Sequence, residues 1–93
     1  MNTLDLEPLA KDVSFRSDMM WVELEDGREI GVPLAYFPRL MKATAKQRVK
    51  FIISGGGRGL HWESVDEDIS VRGLLLGRAD ISLSKNGRSK RAA

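Results

Sequence analysis

His61 is the single histidine of the chain, and Asp66, Glu67 and Asp68 follow it closely. A histidine near two carboxylates could do two kinds of chemistry. It could hold a divalent ion together with Asp66 and Asp68. It could also act as a general base, with Asp66 orienting the ring and Arg39 or Arg48 steadying an anionic intermediate. Neither pattern is complete. There is no second histidine and no cysteine, the H-x-x-x-x-D-x-D spacing fits no standard metal site, and no nucleophile elbow or triad spacing accompanies it. The residues read instead as a structural polar cluster of His61, Asp66, Asp68 and Ser70. In that cluster the ring bonds a backbone group, and the carboxylates cap the last helix and pair with Arg39 or Arg48, whose planar forks suit carboxylates. No catalytic residue, metal or cofactor is assigned.

A second constellation is Gly55-Gly56-Gly57-Arg58-Gly59. A phosphate-binding loop would lead from a buried strand into a helix and carry Gly-Lys-Ser/Thr, whereas this run leads into Leu60, His61 and Trp62. It reads as a permissive hairpin turn.

The third pattern is charge. Net charge is only +2, yet residues 1–30 carry three cations against eight acids, and residues 31–60 carry six cations and no acid. Either the two blocks face each other in the fold, or the basic one attracts an anionic partner. The candidate contacts for a partner or an anion are Arg39, Lys42, Lys46, Arg48 and Arg58, with Tyr36 and Trp62 as aromatic anchors. Trp21, Tyr36 and Trp62 are expected to be half-buried. Aromatics such as Tyr36 and Phe51 are few among the cations, so the stacking platform of a single-strand binder is missing.

The chain that must position these residues is short. Its 93 residues, 42% hydrophobic and 30% charged, fit one globular domain near the size at which a single core gives a modest margin of stability. Without cysteine there is no disulfide framework and no thiol catalysis. No apolar run approaches the roughly 20 residues of a spanning helix, and the first residues lack a secretory pattern. No membrane association is expected, and the location is read as cytoplasmic.

Period-two patterning marks three strands: Leu9 to Arg16, then Met20, Val22 and Leu24 on one face, then Arg28 to Val32. Ser17-Asp18 and Asp26-Gly27 supply the turns, the latter a hairpin signal whose tight form needs positive φ at both positions. Leu34, Phe37, Leu40 and Met41 then recur at helical spacing. Pro38 forbids one continuous helix but suits the first position of a new one, so a turn over Leu34 to Phe37 and a helix from Pro38 to Ala43 are expected. Thr44 and Gln47 read as a capping box for a further turn through Arg48. Val49 to Ser54 is strand-like, Leu60 to Trp62 returns, and Ser70 caps a short helix closed by Gly77. The expected fold is α+β: a small antiparallel or mixed sheet in the order βββ, broken helix, ββ, short helix, with helices on one face. Residues 1–8 form a flexible lead-in, 9–77 a single domain, and 78–93 a basic, disordered tail.

The ordered elements DGR, PL, FPRL, AT, QR, HW and DEDISV, spread over Val13 to Gly77, resemble the bacterial domain-of-unknown-function family 2442. Two small departures are Phe51, where that family often has tryptophan, and Ser64, where it often has proline. The resemblance implies a small α+β fold with no established activity and no catalytic residues to carry over. Some members of that family bear an appended helix-turn-helix domain, and others lie beside small genes in a toxin and antitoxin-like arrangement. With about 16 residues after Gly77, direct helix-turn-helix recognition is not expected. The function anticipated is a protein-interaction module, pairing with itself or with a neighbouring gene product. The alternative is a nucleic-acid-binding accessory that uses the basic middle segment and tail.

Overall fold

The structure, a computed structural model, describes residues 7–77. The expected tail, 78–93, and most of the expected lead-in lie outside the described residues. An antiparallel meander comes first: β1 (Ala10–Arg16), β2 (Met19–Leu24) and β3 (Glu29–Pro33), in spatial order β1-β2-β3. A 3₁₀ turn (Leu34–Tyr36), α1 (Pro38–Lys42) and α2 (Ala45–Arg48) follow. The chain then builds a second antiparallel sheet from β4 (Ile52–Ser54), β5 (Gly59–Trp62) and β6 (Glu67–Ser70), and ends in α3 (Val71–Leu75). The fold is α+β, with two three-stranded sheets.

Register explains the core. Val13 lies opposite Val22 and Phe15 opposite Met20 in one pair, while Met20 meets Val32 and Val22 meets Ile30 in the next. Because side chains alternate across a strand, these residues share the inner face. The second sheet adds Leu60, Trp62 and Ile69, and Leu34, Phe37, Leu40, Val71 and Leu74 close the cluster. Trp62, Phe37 and Leu40 are almost wholly buried. The core therefore lies between the two sheets and the helical segment, and helices too short to stand alone are held by what they bury.

Several local signals act as their chemistry dictates. Pro38 opens α1, and the Thr44–Gln47 capping box is complete, with each side chain bonded to the other residue's backbone. Ser70 Oγ accepts from the Gly73 N–H at 3.1 Å. Three expectations change. The hairpin after β2 is not the two-residue form: the Gly27 N–H closes onto the Leu24 carbonyl and only Gly27, at φ 95°, is left-handed. The four residues before α3, expected as a strand end, form a full strand, because Leu60, His61 and Trp62 of β5 pair with Ile69, Asp68 and Glu67. The strand expected over Val49 to Ser54 shortens to Ile52–Ser54, as Val49 instead ends α2. Gly57, at φ 109°, packs so close to Leu9 and Ala10 that a side chain would not fit. That contact seats the β4–β5 turn against the start of β1.

Candidate interaction surface

α1 and α2 are joined through Ala43 and Thr44, and Arg48 fixes the angle between them. Its Nε donates to the Leu40 carbonyl and its Nη2 to the Met41 carbonyl, both at 2.8 Å. These carbonyls lie in the last turn of a five-residue helix, and that of Leu40 also accepts from the Ala43 N–H at 3.2 Å. The backbone carbonyl of Arg48 in turn accepts from Trp62 Nε1–H at 2.9 Å. The Trp62 ring lies 6.4 Å from that of Phe51. Arg48 and Trp62, both candidate contacts from the sequence, are thereby committed inward. Trp62 is 0% exposed rather than half-buried, and its polar edge is used.

Outward, the same segment presents Arg39, Lys42, Lys46 and Lys50, all exposed. Arg39 Nη1 donates to the Asp66 carbonyl at 2.6 Å, so it joins α1 to the turn before β6 through a backbone acceptor. Lys42, Lys46 and Lys50 form no ion pair among the described residues. Apolar groups are interleaved with them: Tyr36 is 48% exposed, Met41 39%, Val49 62% and Ile52 50%. Met41 belongs to the helical spacing that predicts a buried face, yet α1 buries Leu40 and leaves Met41 out. Val49 and Ile52 belong to the expected strand over Val49 to Ser54 and are not among the contacts expected from the sequence. The signal available was their position directly after a short capped turn, where no following helix covers them.

The charge blocks do not cancel across the fold. Among the described residues, Lys11–Glu23, Arg16–Glu29 and Arg28–Asp26 pair within the first block, and of its acids only Glu7 reaches the second, at Arg58. Lys42, Lys46 and Lys50 thus face solvent.

The polar cluster separates into parts. His61 Nδ1 and Asp68 Oδ1 lie 2.5 Å apart across β5 and β6, each side chain about 30% exposed. The ring's partner is a carboxylate, not a backbone group. Asp66 sits in the connecting turn at φ 52° and contributes its carbonyl to Arg39. Ser70 caps α3 with its hydroxyl, and no acid lies in that helix's first turn. Arg58 lies apart, at the β4–β5 turn. No group of three or more histidine or acidic residues able to hold a metal ion occurs among the described residues, and none of the described helices is long and apolar enough to cross a membrane.

With this geometry in hand, the comparisons place the chain. The model of a family described as "Protein of unknown function (DUF2442)" matches residues 10–80. The chain belongs to that family. It is similar to a protein of unknown function from Rhodospirillum rubrum ATCC 11170, known from a crystal structure, at 35% identity and a TM-score of 0.69, over 77% of this chain and 89% of that one. It is also similar to an uncharacterised protein from Chromobacterium violaceum, solved by NMR in solution, at 30% identity and a TM-score of 0.67, over 76% of this chain and 67% of that one. Comparison with curated proteins gave no match.

Proposed function

We propose that this chain is a cytoplasmic, non-enzymatic protein-interaction module, the regulatory or antitoxin-like half of a pair formed with the product of a neighbouring small gene. One observation carries the reading. The surface of residues 36–52 mixes exposed Tyr36, Met41, Val49 and Ile52 with the solvent-facing Lys42, Lys46 and Lys50. Apolar anchors ringed by one sign of charge fit a protein partner with its own apolar patch and an acidic rim. A phosphate backbone would use the lysines and leave the apolar groups unpaired, which is why nucleic-acid binding ranks second.

The test is light scattering behind size-exclusion chromatography, on the protein alone and mixed with its neighbour's product. A stoichiometric complex is expected, and it should be lost in a Lys42→Glu/Lys46→Glu variant that elutes as the parent does when alone. A neighbour that elutes separately sinks the proposed pairing. Binding of duplex DNA that falls steeply with salt would then favour the second reading.

A further inference from the structure

The outer face of the second sheet ends in a polar row. Register places Ser54 of β4, Gly59 of β5 and Ser70 of β6 side by side. Gly59 leaves the middle of the row open, and Ser54 Oγ leans over it: a Cβ built at Gly59 would lie 2.9 Å from that oxygen. Arg58 and Arg72 border the same cavity, which holds about 350 Å³. The Arg58 guanidinium is held in place, with Nη1 donating to the Gly55 carbonyl at 3.0 Å and Nε to Glu7 Oε1 at 2.8 Å.

We propose that this cavity binds a small phosphate-bearing anion, inorganic phosphate or a phosphate monoester. Two arginines, Arg58 and Arg72, line the cavity with one carboxylate, that of Glu7, so an anion of higher charge is favoured there. Both serine hydroxyls have a proton to give. Ser70 Oγ uses only acceptor capacity in capping α3, and the Ser54 hydroxyl makes no hydrogen bond among the described residues. The volume lies at the low end of the ~300–1,000 Å³ typical of ligand pockets, which suits a single phosphate group with a small substituent. Glu7 is the internal occupant: its carboxylate already takes the Arg58 donor that an incoming phosphate oxygen would use. The site differs from a phosphate loop because the glycine run enters a strand and recognition falls to side chains from three elements.

The experiment is a titration of the ¹⁵N-labelled full chain with sodium phosphate and, separately, with O-phosphoserine, at ionic strength held constant with sodium chloride. Saturable shifts centred on Ser54, Arg58, Gly59, Ser70 and Arg72 are expected. Arg72→Gln and Ser54→Ala should each weaken binding, the former by about tenfold, as for loss of a charge-assisted bond. Glu7→Gln, which removes the competing charge, should strengthen it. Tighter binding of O-phosphoserine assigns the site to a monoester, and tighter binding of inorganic phosphate to the free ion. Shifts that fail to saturate, that centre on Lys42, Lys46 and Lys50, or that are indifferent to both Arg72→Gln and Glu7→Gln in variants with parental spectra elsewhere would overturn the proposal.

Discussion

Trp62 donates its indole N–H to the backbone carbonyl of Arg48, while the Arg48 side chain reaches back to the carbonyls of Leu40 and Met41. One strand of the second sheet is thereby bonded to α2, and α2 to α1. Trp62→Phe keeps a ring in the core but leaves the Arg48 carbonyl without this donor, and should cost about 1–3 kcal/mol. Trp62→Ala adds a cavity and should cost about 3–5 kcal/mol. Urea denaturation measures both. If Trp62→Phe proves neutral, the bond does not tie the segment to the sheet.

Arg48→Lys separates the tether from the charge. A lysine keeps the cation and loses the fork that meets two carbonyls, so about 1 kcal/mol should be lost. Lys42→Gln, at an exposed site with no ion pair among the described residues, should stay within about 0.5 kcal/mol of the parent. Equal midpoints for the two variants would show that charge, not geometry, matters at position 48.

Trp21 and Gly31 are a second matched pair, opposite each other on the outer face of the first sheet. The indole lies so flat on Gly31 that an added Cβ would come within 2.6 Å of it, and the Arg16 guanidinium covers the ring at 4.6 Å from its centroid. Gly31→Ala must lift the ring away, and roughly 1–3 kcal/mol should be lost to overpacking. The same change in a Trp21→Ala background should be nearly neutral, since the obstruction is gone. Additive losses in the double-mutant cycle would contradict the pairing.

What the sequence could and could not disclose follows from range. Pro38, the Thr44–Gln47 box and the Ser70 cap act within one helical turn, and each is legible because its partner is three or four residues away. The alternation of Met20, Val22 and Leu24 likewise needs only its own strand. Arg48 could not be told from the lysines around it, because its partners are backbone carbonyls, which have no residue type. Trp62 could not be told from Tyr36 for a related reason: one meets the end of α2 and is buried, the other meets nothing that covers it. β6 is hidden in the sequence because Glu67 and Asp68 are poor strand formers, and pairing with β5 overrides that preference. The polar row of Ser54, Gly59 and Ser70 exists only through the register of three strands.

Asp26 gives the clearest acid dependence. The Arg28 backbone N–H, bonded to its carboxylate at 3.0 Å, and then the Arg28 side chain at 2.8 Å hold its pKa below the ordinary carboxylate value. A depressed folded-state value means a contribution present above the unfolded pKa, about 3.9, and lost as pH falls through the folded one. Asp26→Asn keeps a turn-forming side chain and removes the charge, so stability of the variant should fall less steeply than that of the parent below about pH 4. Parallel curves would exclude the contribution.

The His61–Asp68 pair poses the sharpest choice between structure and chemistry, and its exposure decides what to expect. Each side chain is about 30% accessible and sits on the outer face of the sheet beside Ile52. A pair so placed is screened by solvent, and Asp68→Asn should cost no more than about 1 kcal/mol. Its geometry is more specific than its energy. A carboxylate at Nδ1 fixes that nitrogen as the donor, which in the neutral ring leaves Nε2 as the acceptor. Long-range ¹H–¹⁵N correlation at a pH where the ring is neutral should report the Nδ1–H tautomer in the parent. In Asp68→Asn the preference should relax towards the Nε2–H form that free imidazole side chains favour. An Nε2–H tautomer in the parent would mean that the carboxylate does not set the ring, and that the two residues are neighbours by register alone.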